Sequence, residues 1–246
     1  MTAFFMAWGM FCVIPCPCRR WDARLYPQML LWLPLIGLLI GVLTALAGWG
    51  LREWLATPLL RAAILVALPW LLSGFIHLDG YLDCADAILS RRDRAERLRI
   101  LKDPHSGSFA VIAMVLLALL SFAACAELEL SRQQLFCLAL IPAASRAWAT
   151  VSLFVLRRRP GSSYAQQLGE RVRPGFKVAA LLILAAALAL PVVLCGRSGL
   201  CVAIGVAVAT LVSLAAARNL DGMSGDIAGC AIVLGESGAL LALVLL

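Results

Sequence analysis

Charge is scarce in this chain. Of its 246 residues only 14% are Asp, Glu, Lys or Arg, while 63% are hydrophobic. Too little polar surface is available to cover a water-soluble globule, so an ordinary soluble domain is excluded. Paired cysteine motifs are missing as well. The nine cysteines are odd in number. Cys16 and Cys18 form a lone C-x-C with no second pair to complete a zinc site. Cys12, Cys125, Cys137, Cys195, Cys201 and Cys230 sit in apolar stretches and read as small buried hydrophobes. Neither a disulfide framework nor a structural zinc is expected. Met1 to Pro15 is apolar but has no basic segment before it and no small-residue cleavage pattern after it, so it does not read as a signal peptide. At that length it is also too short to cross a bilayer and reads as an interfacial or re-entrant helix stopped by Pro15 and Pro17.

What is present is long apolar runs, with a mean hydropathy of +0.94. They predict an all-α, polytopic membrane bundle, one domain over residues 1–246, with about seven spans. The expected spans are 30–50, 59–76, 108–126, 135–156, 178–194, 200–217 and 227–246. Gly37 and Gly41 in the first form GxxxG and predict close helix contact. The net charge of +7 is explained by topology before any acidic partner, and nucleic-acid binding is not expected. If Arg19, Arg20 and Arg24 face the cytoplasm, alternate loops carry sixteen of the twenty-one Lys and Arg residues. That one-sided bias puts residues 77–106, the basic loop 157–177 and Asp226 on the cytoplasmic side.

The chemistry concentrates between Phe75 and Ala110. Asp79, Asp83 and Asp86 are spaced i, i+4, i+7, which places them within an arc of about 60° on one helix face. Three carboxylates so placed repel one another, and a solvated polar face is the plain alternative. They follow an apolar span directly, where acidic groups are costly unless they serve a purpose. Hard oxygen donors of this kind suit Mg²⁺ or Mn²⁺, with positions left for phosphate oxygens. The pattern therefore points to metal-assisted chemistry on a phosphate or pyrophosphate. The span is expected to continue as a helix through the aspartates. A basic run follows, Arg91 to Lys102, read as a charged amphipathic helix suited to an anionic substrate. Arg146 stands in mid-span and needs an anionic partner, either a phosphate or carboxylate of a ligand or, by an internal ion pair, one of the aspartates. Glu236 interrupts the last span and finds no explanation beyond a neighbouring helix.

Several of these pieces together resemble one family. His77-Leu78-Asp79-Gly80, Asp83-Cys84-Ala85-Asp86, Leu101-Lys102-Asp103 and Gly107-Ser108-Phe109 follow in order the signature of the cobalamin synthases, the membrane-bound adenosylcobinamide-GDP ribazoletransferases. Thinner matches are Phe11 to Trp21, Leu33 to Gly41, Pro142-Ala143-Ala144-Ser145-Arg146 and Ser224-Gly225-Asp226. Ile14 stands where the family usually carries an arginine before the first proline. Asp221 stands where the family more often has glycine. The resemblance implies transfer of cobinamide phosphate from adenosylcobinamide-GDP to α-ribazole or its 5′-phosphate, with release of GMP. It implies Asp79, Asp83 and Asp86 as ligands of Mg²⁺ or Mn²⁺, and Asp83, Asp226 and Lys102 as catalytic groups. Arg146, His77 and Asp103 are implied as substrate-binding groups. It further implies a multi-pass protein of a prokaryotic inner membrane, associating with itself or with other cobalamin-assembly enzymes. Two other readings fit the aspartates less well. A CDP-alcohol phosphotransferase would carry D-G-x-x-A-R, which is missing. A transporter would place its acidic site at mid-span rather than at one face.

Overall fold

A computed structural model describes every residue except Arg19, Glu170 and Arg171; two of the expected loop cations, Arg19 and Arg171, therefore lie outside it. The described residues form twelve α-helices and no β-strand. They are α1 (Thr2–Phe11), α2 (Tyr26–Leu31), α3 (Leu33–Trp54), α4 (Pro58–Leu72), α5 (Ile76–Leu89), α6 (Arg94–Ile100), α7 (Ser108–Ala126), α8 (Arg132–Val155), α9 (Ser163–Leu168), α10 (Pro174–Cys195), α11 (Leu200–Asn219) and α12 (Gly225–Leu245). Proline opens α2, α3, α4 and α10 within their first two positions, where a missing N–H costs nothing. Ser131 and Gln134 form a reciprocal capping box on α8. The Ser224 side chain caps α12 by accepting from the Ile227 N–H.

Five helical stretches are long and apolar enough to cross a membrane. A sixth is obtained by joining α4 and α5, which are bent by 95°. Length and apolarity thus give five or six rather than the expected seven. The difference lies in residues 174–219, which count as one apolar stretch interrupted by the 3-10 turn Gly196–Gly199. Both of its arms, α10 and α11, pack on α8.

Helix α8 is the buried centre of the bundle, with α3, α10, α11 and α12 around it. The GxxxG expectation holds. A Cβ on Gly37 would lie 2.2 Å from the Pro142 carbonyl oxygen, and one on Gly41 would lie 2.2 Å from that of Ala139. Only glycine lets the α3 backbone come that close to α8.

One expectation is corrected. The aspartate helix is not a straight continuation of the preceding span. α4 ends at Leu72, and Gly74 (φ +64°) and Phe75 (φ +60°) turn the chain into α5. Positive φ at two successive residues breaks the helical hydrogen-bond ladder and redirects the axis. The Val13 N–H donates to the Leu72 carbonyl at 2.9 Å, tying the segment after α1 to this bend.

Candidate active site

The bend aims α5 across the start of α12. Gly80 makes the contact: a Cβ there would lie 2.7 Å from the Asp226 carbonyl oxygen and 2.9 Å from its Cα. The aspartate face of α5 and the first turn of α12 therefore meet backbone to backbone. Asp83 lies within electrostatic reach of Asp79, Asp226 and Asp86. The Asp83 carboxylate is half-buried and that of Asp79 is exposed. Asp86 Oδ2 accepts from the Gly107 N–H at 3.1 Å, which fixes the start of α7 against the end of α5. Asp226 Oδ2 accepts from Arg159 Nη2 at 3.2 Å and from the Ser224 hydroxyl at 3.1 Å.

The contact predicts a large effect from a small change. Gly80→Ala should leave the helices intact but displace Asp226 from the α5 face, lowering turnover by about a hundredfold, as expected for a misplacement of roughly 1 Å. Circular dichroism would check the fold. Wild-type turnover in the variant would show that the α5–α12 contact does not set the site.

The loops around the site are locked by arginines. Asp221, itself at φ +63°, accepts from Arg157 Nη2 at 2.6 Å and pairs with Arg94 Nη1 at 3.5 Å. The Arg157 hydrogen bond holds its carboxyl below the usual range, and the Arg94 charge adds to this. Arg94 Nη2 also donates to the Arg218 carbonyl. Residues 157–159 run beside Met223, with the Met223 N–H donating to the Arg157 carbonyl and the Arg159 N–H donating to the Met223 carbonyl. The basic helix α6, the basic loop and the α11–α12 turn are thus one assembly at the Asp226 end of the bundle.

The remaining expected residues fall in different places. Lys102 and Asp103 are exposed in the turn between α6 and α7. Asp103 accepts from the His105 backbone N–H at 3.0 Å, and its carboxylate lies 2.8 Å from the His105 ring; these contacts hold its carboxyl below the usual range. His77 is buried, stacked on Phe11 with centroids 5.9 Å apart, and its Nε2 has no hydrogen-bond partner. Arg146 is 1% exposed and takes the internal option: its Nη1 pairs with Glu236 Oε1 at 2.5 Å, and the Ser145 hydroxyl donates to the same oxygen at 2.8 Å. The carboxylate partner is Glu236, not one of the aspartates.

Reasoning from sequence missed Arg159, which was counted only as a loop cation. It missed the pairing of Glu236 with Arg146, although two opposite charges in apolar spans were a visible signal. It also missed that the segment after α1 reaches the aspartates, where a cleft of about 1150 Å³ opens beside Asp79.

Among the described residues, no three His, Cys, Asp or Glu side chains converge closely enough to hold a metal ion by themselves. Mg²⁺ does not require three. It is held by one or two carboxylates and completes its shell with water and substrate phosphates. The Asp79 and Asp83 carboxylates, which make no hydrogen bond or ion pair here, and the second oxygen of Asp86 are oxygen donors that fit such an ion.

Fold and site together define a polytopic helical membrane protein with an acidic face, flanked by arginines, at one end of its bundle. Residues 3–244 match the family described as cobalamin-5-phosphate synthase. The chain is 34% identical over 245 residues to the adenosylcobinamide-GDP ribazoletransferase of Clostridium perfringens (strain SM101 / Type A), covering 98% of this chain and 96% of that one. It is 40% identical over 227 residues to the enzyme of the same name from Pseudomonas fluorescens (strain Pf0-1), covering 89% and 88%. No solved structure matches. The chain belongs to the cobalamin-5-phosphate synthase family.

Proposed function

We propose that this chain is an adenosylcobinamide-GDP ribazoletransferase, with its acidic face toward the cytoplasm of a prokaryotic cell. A hydroxyl of α-ribazole, or of its 5′-phosphate, attacks the phosphorus that carries the cobinamide. The bond from that phosphorus to the bridging oxygen breaks, and GMP departs with that oxygen. Adenosylcobalamin, or its 5′-phosphate, is the product. The observation that carries this reading is the meeting of the α5 aspartates with Asp226, which is paired with Arg159. That is the charge pattern a pyrophosphate substrate and its metal require.

Mg²⁺, or Mn²⁺, held by one or two of Asp79, Asp83 and Asp86 and completed by substrate phosphate oxygens, would neutralise the pyrophosphate charge. Asp226, held by Arg159 and Ser224, meets the α5 face at Gly80. Asp83 has no donor of its own and receives the hydroxyl proton. Arg159 and Lys102 offer charge-assisted hydrogen bonds to phosphate oxygens. Arg146 and Glu236 support the bundle beneath the site.

The test is direct. Protein in nanodiscs, given adenosylcobinamide-GDP, α-ribazole 5′-phosphate and Mg²⁺, should release GMP and form the matching corrinoid, and chelation by EDTA should stop both. No GMP from folded protein with either ribazole form and either metal would overturn the assignment.

A further inference from the structure

The cleft beside Asp79 is not explained by phosphate chemistry. It lies between α1, residues 12–18 and 20–21, and the α4–α5 bend. At about 1150 Å³ it exceeds the roughly 300–1,000 Å³ of sites built for drug-sized ligands. Its walls are mostly thioether, thiol, aliphatic and aromatic side chains, including Met6, Met10, Cys16 and Trp21. Trp21, 55% exposed, and Phe75, 50% exposed, both line it. Phe75 also sits at φ +60°. A bulky aromatic residue in the left-handed region is strained, and such strain gathers at working sites. Glycine would turn the chain at that position without strain, so the ring itself is the reason for the residue.

We infer that this cleft receives the corrinoid ring of the substrate. The inference rests on the function proposed above. A corrinoid is large, has broad apolar faces and carries methyl and amide groups at its rim. A guanine needs directional donors and acceptors, and apart from Asp79, Arg20 and Ser73, whose hydroxyl donates to the Trp70 carbonyl at 3.0 Å, the described side chains of the wall are apolar or carry sulfur. With Asp79 on the cleft wall, a corrinoid seated there would extend its phosphate tail onto the α5 aspartates. Among the described residues of the wall, Arg20 is the cation that would meet the same tail.

The experiment measures binding of adenosylcobinamide, which lacks both GDP and ribazole, to nanodisc-embedded protein by corrinoid absorbance in equilibrium dialysis. Two variants are compared with wild type. Gly9→Trp fills the cleft from α1, where a Cβ meets nothing closer than Cys16 at 3.8 Å. Phe75→Gly removes an aromatic wall at a backbone angle that glycine prefers, so it should melt at or above the wild-type temperature. Both should weaken adenosylcobinamide binding at least tenfold. Both should raise KM for adenosylcobinamide-GDP by a similar factor and leave KM for α-ribazole 5′-phosphate in place. Wild-type protein that fails to bind adenosylcobinamide overturns the inference. So does undiminished binding in a folded variant, or a rise confined to the ribazole KM, which would assign the cleft to the nucleoside. Absence of GMP release by wild-type protein would overturn the proposed function instead, and the adenosylcobinamide binding data would still decide what the cleft holds.

Discussion

Asp83→Ala should lower turnover by at least about a thousandfold while the protein keeps its helical content and melting transition. Asp83 is the carboxylate of α5 with Asp79, Asp86 and Asp226 all within electrostatic reach, and it has no donor to satisfy it. On the proposed mechanism its removal takes away a metal ligand and the proton acceptor, the latter alone worth a factor of about 10²–10⁴. The fold should not suffer, because no contact depends on that carboxylate and one source of like-charge repulsion disappears. Asp86→Ala should also abolish turnover, but with some loss of order at the start of α7, since it removes the acceptor for the Gly107 N–H. GMP release and thermal melting, measured on the same preparations, separate the two effects. Full activity in both variants would remove the aspartate face from the mechanism.

Glu236→Leu should be the most destabilising single change outside the packing glycines. Arg146 and Glu236 stand in the middle of α8 and α12, and the Arg146 side chain is 1% exposed. Deleting one member of a buried pair strands the other charge and costs about 3–5 kcal/mol. Replacing both members with apolar residues is often neutral or stabilising. The double variant Arg146→Leu/Glu236→Leu should therefore recover most of the loss. Melting of the purified protein in detergent would measure each. Equal melting of Glu236→Leu and wild type would show that the pair does not hold α8 to α12. Substantial GMP release by the refolded double variant would confine Arg146 to a supporting role, and loss of that release at normal stability would return it to the phosphate.

The sequence by itself determined the fold class and the family. Apolar runs of span length must bury their backbone polar groups in helices, so the all-helical bundle followed from composition. Asp79, Asp83 and Asp86 could be placed on one face because the helical repeat is local, and the ordered motifs from His77 to Phe109 pointed to the family. Gly37 and Gly41 predicted a close helix contact, though not that its partner would be Pro142 and Ala139. What only the tertiary structure decided depends on contacts between distant segments. Gly80 admits Asp226 from a helix that begins 145 residues later. Arg146 could have answered to a phosphate or to a carboxylate, and packing of α8 on α12 selected Glu236. The bend at Gly74 and Phe75 escaped the hydropathy reading because Ser73-Gly74 is only a brief break in an apolar run, and hydropathy carries no record of a change in direction. That bend turns the aspartate helix over α12 and opens the cleft against α1. The site is therefore set by backbone angles at two residues that carry no charge.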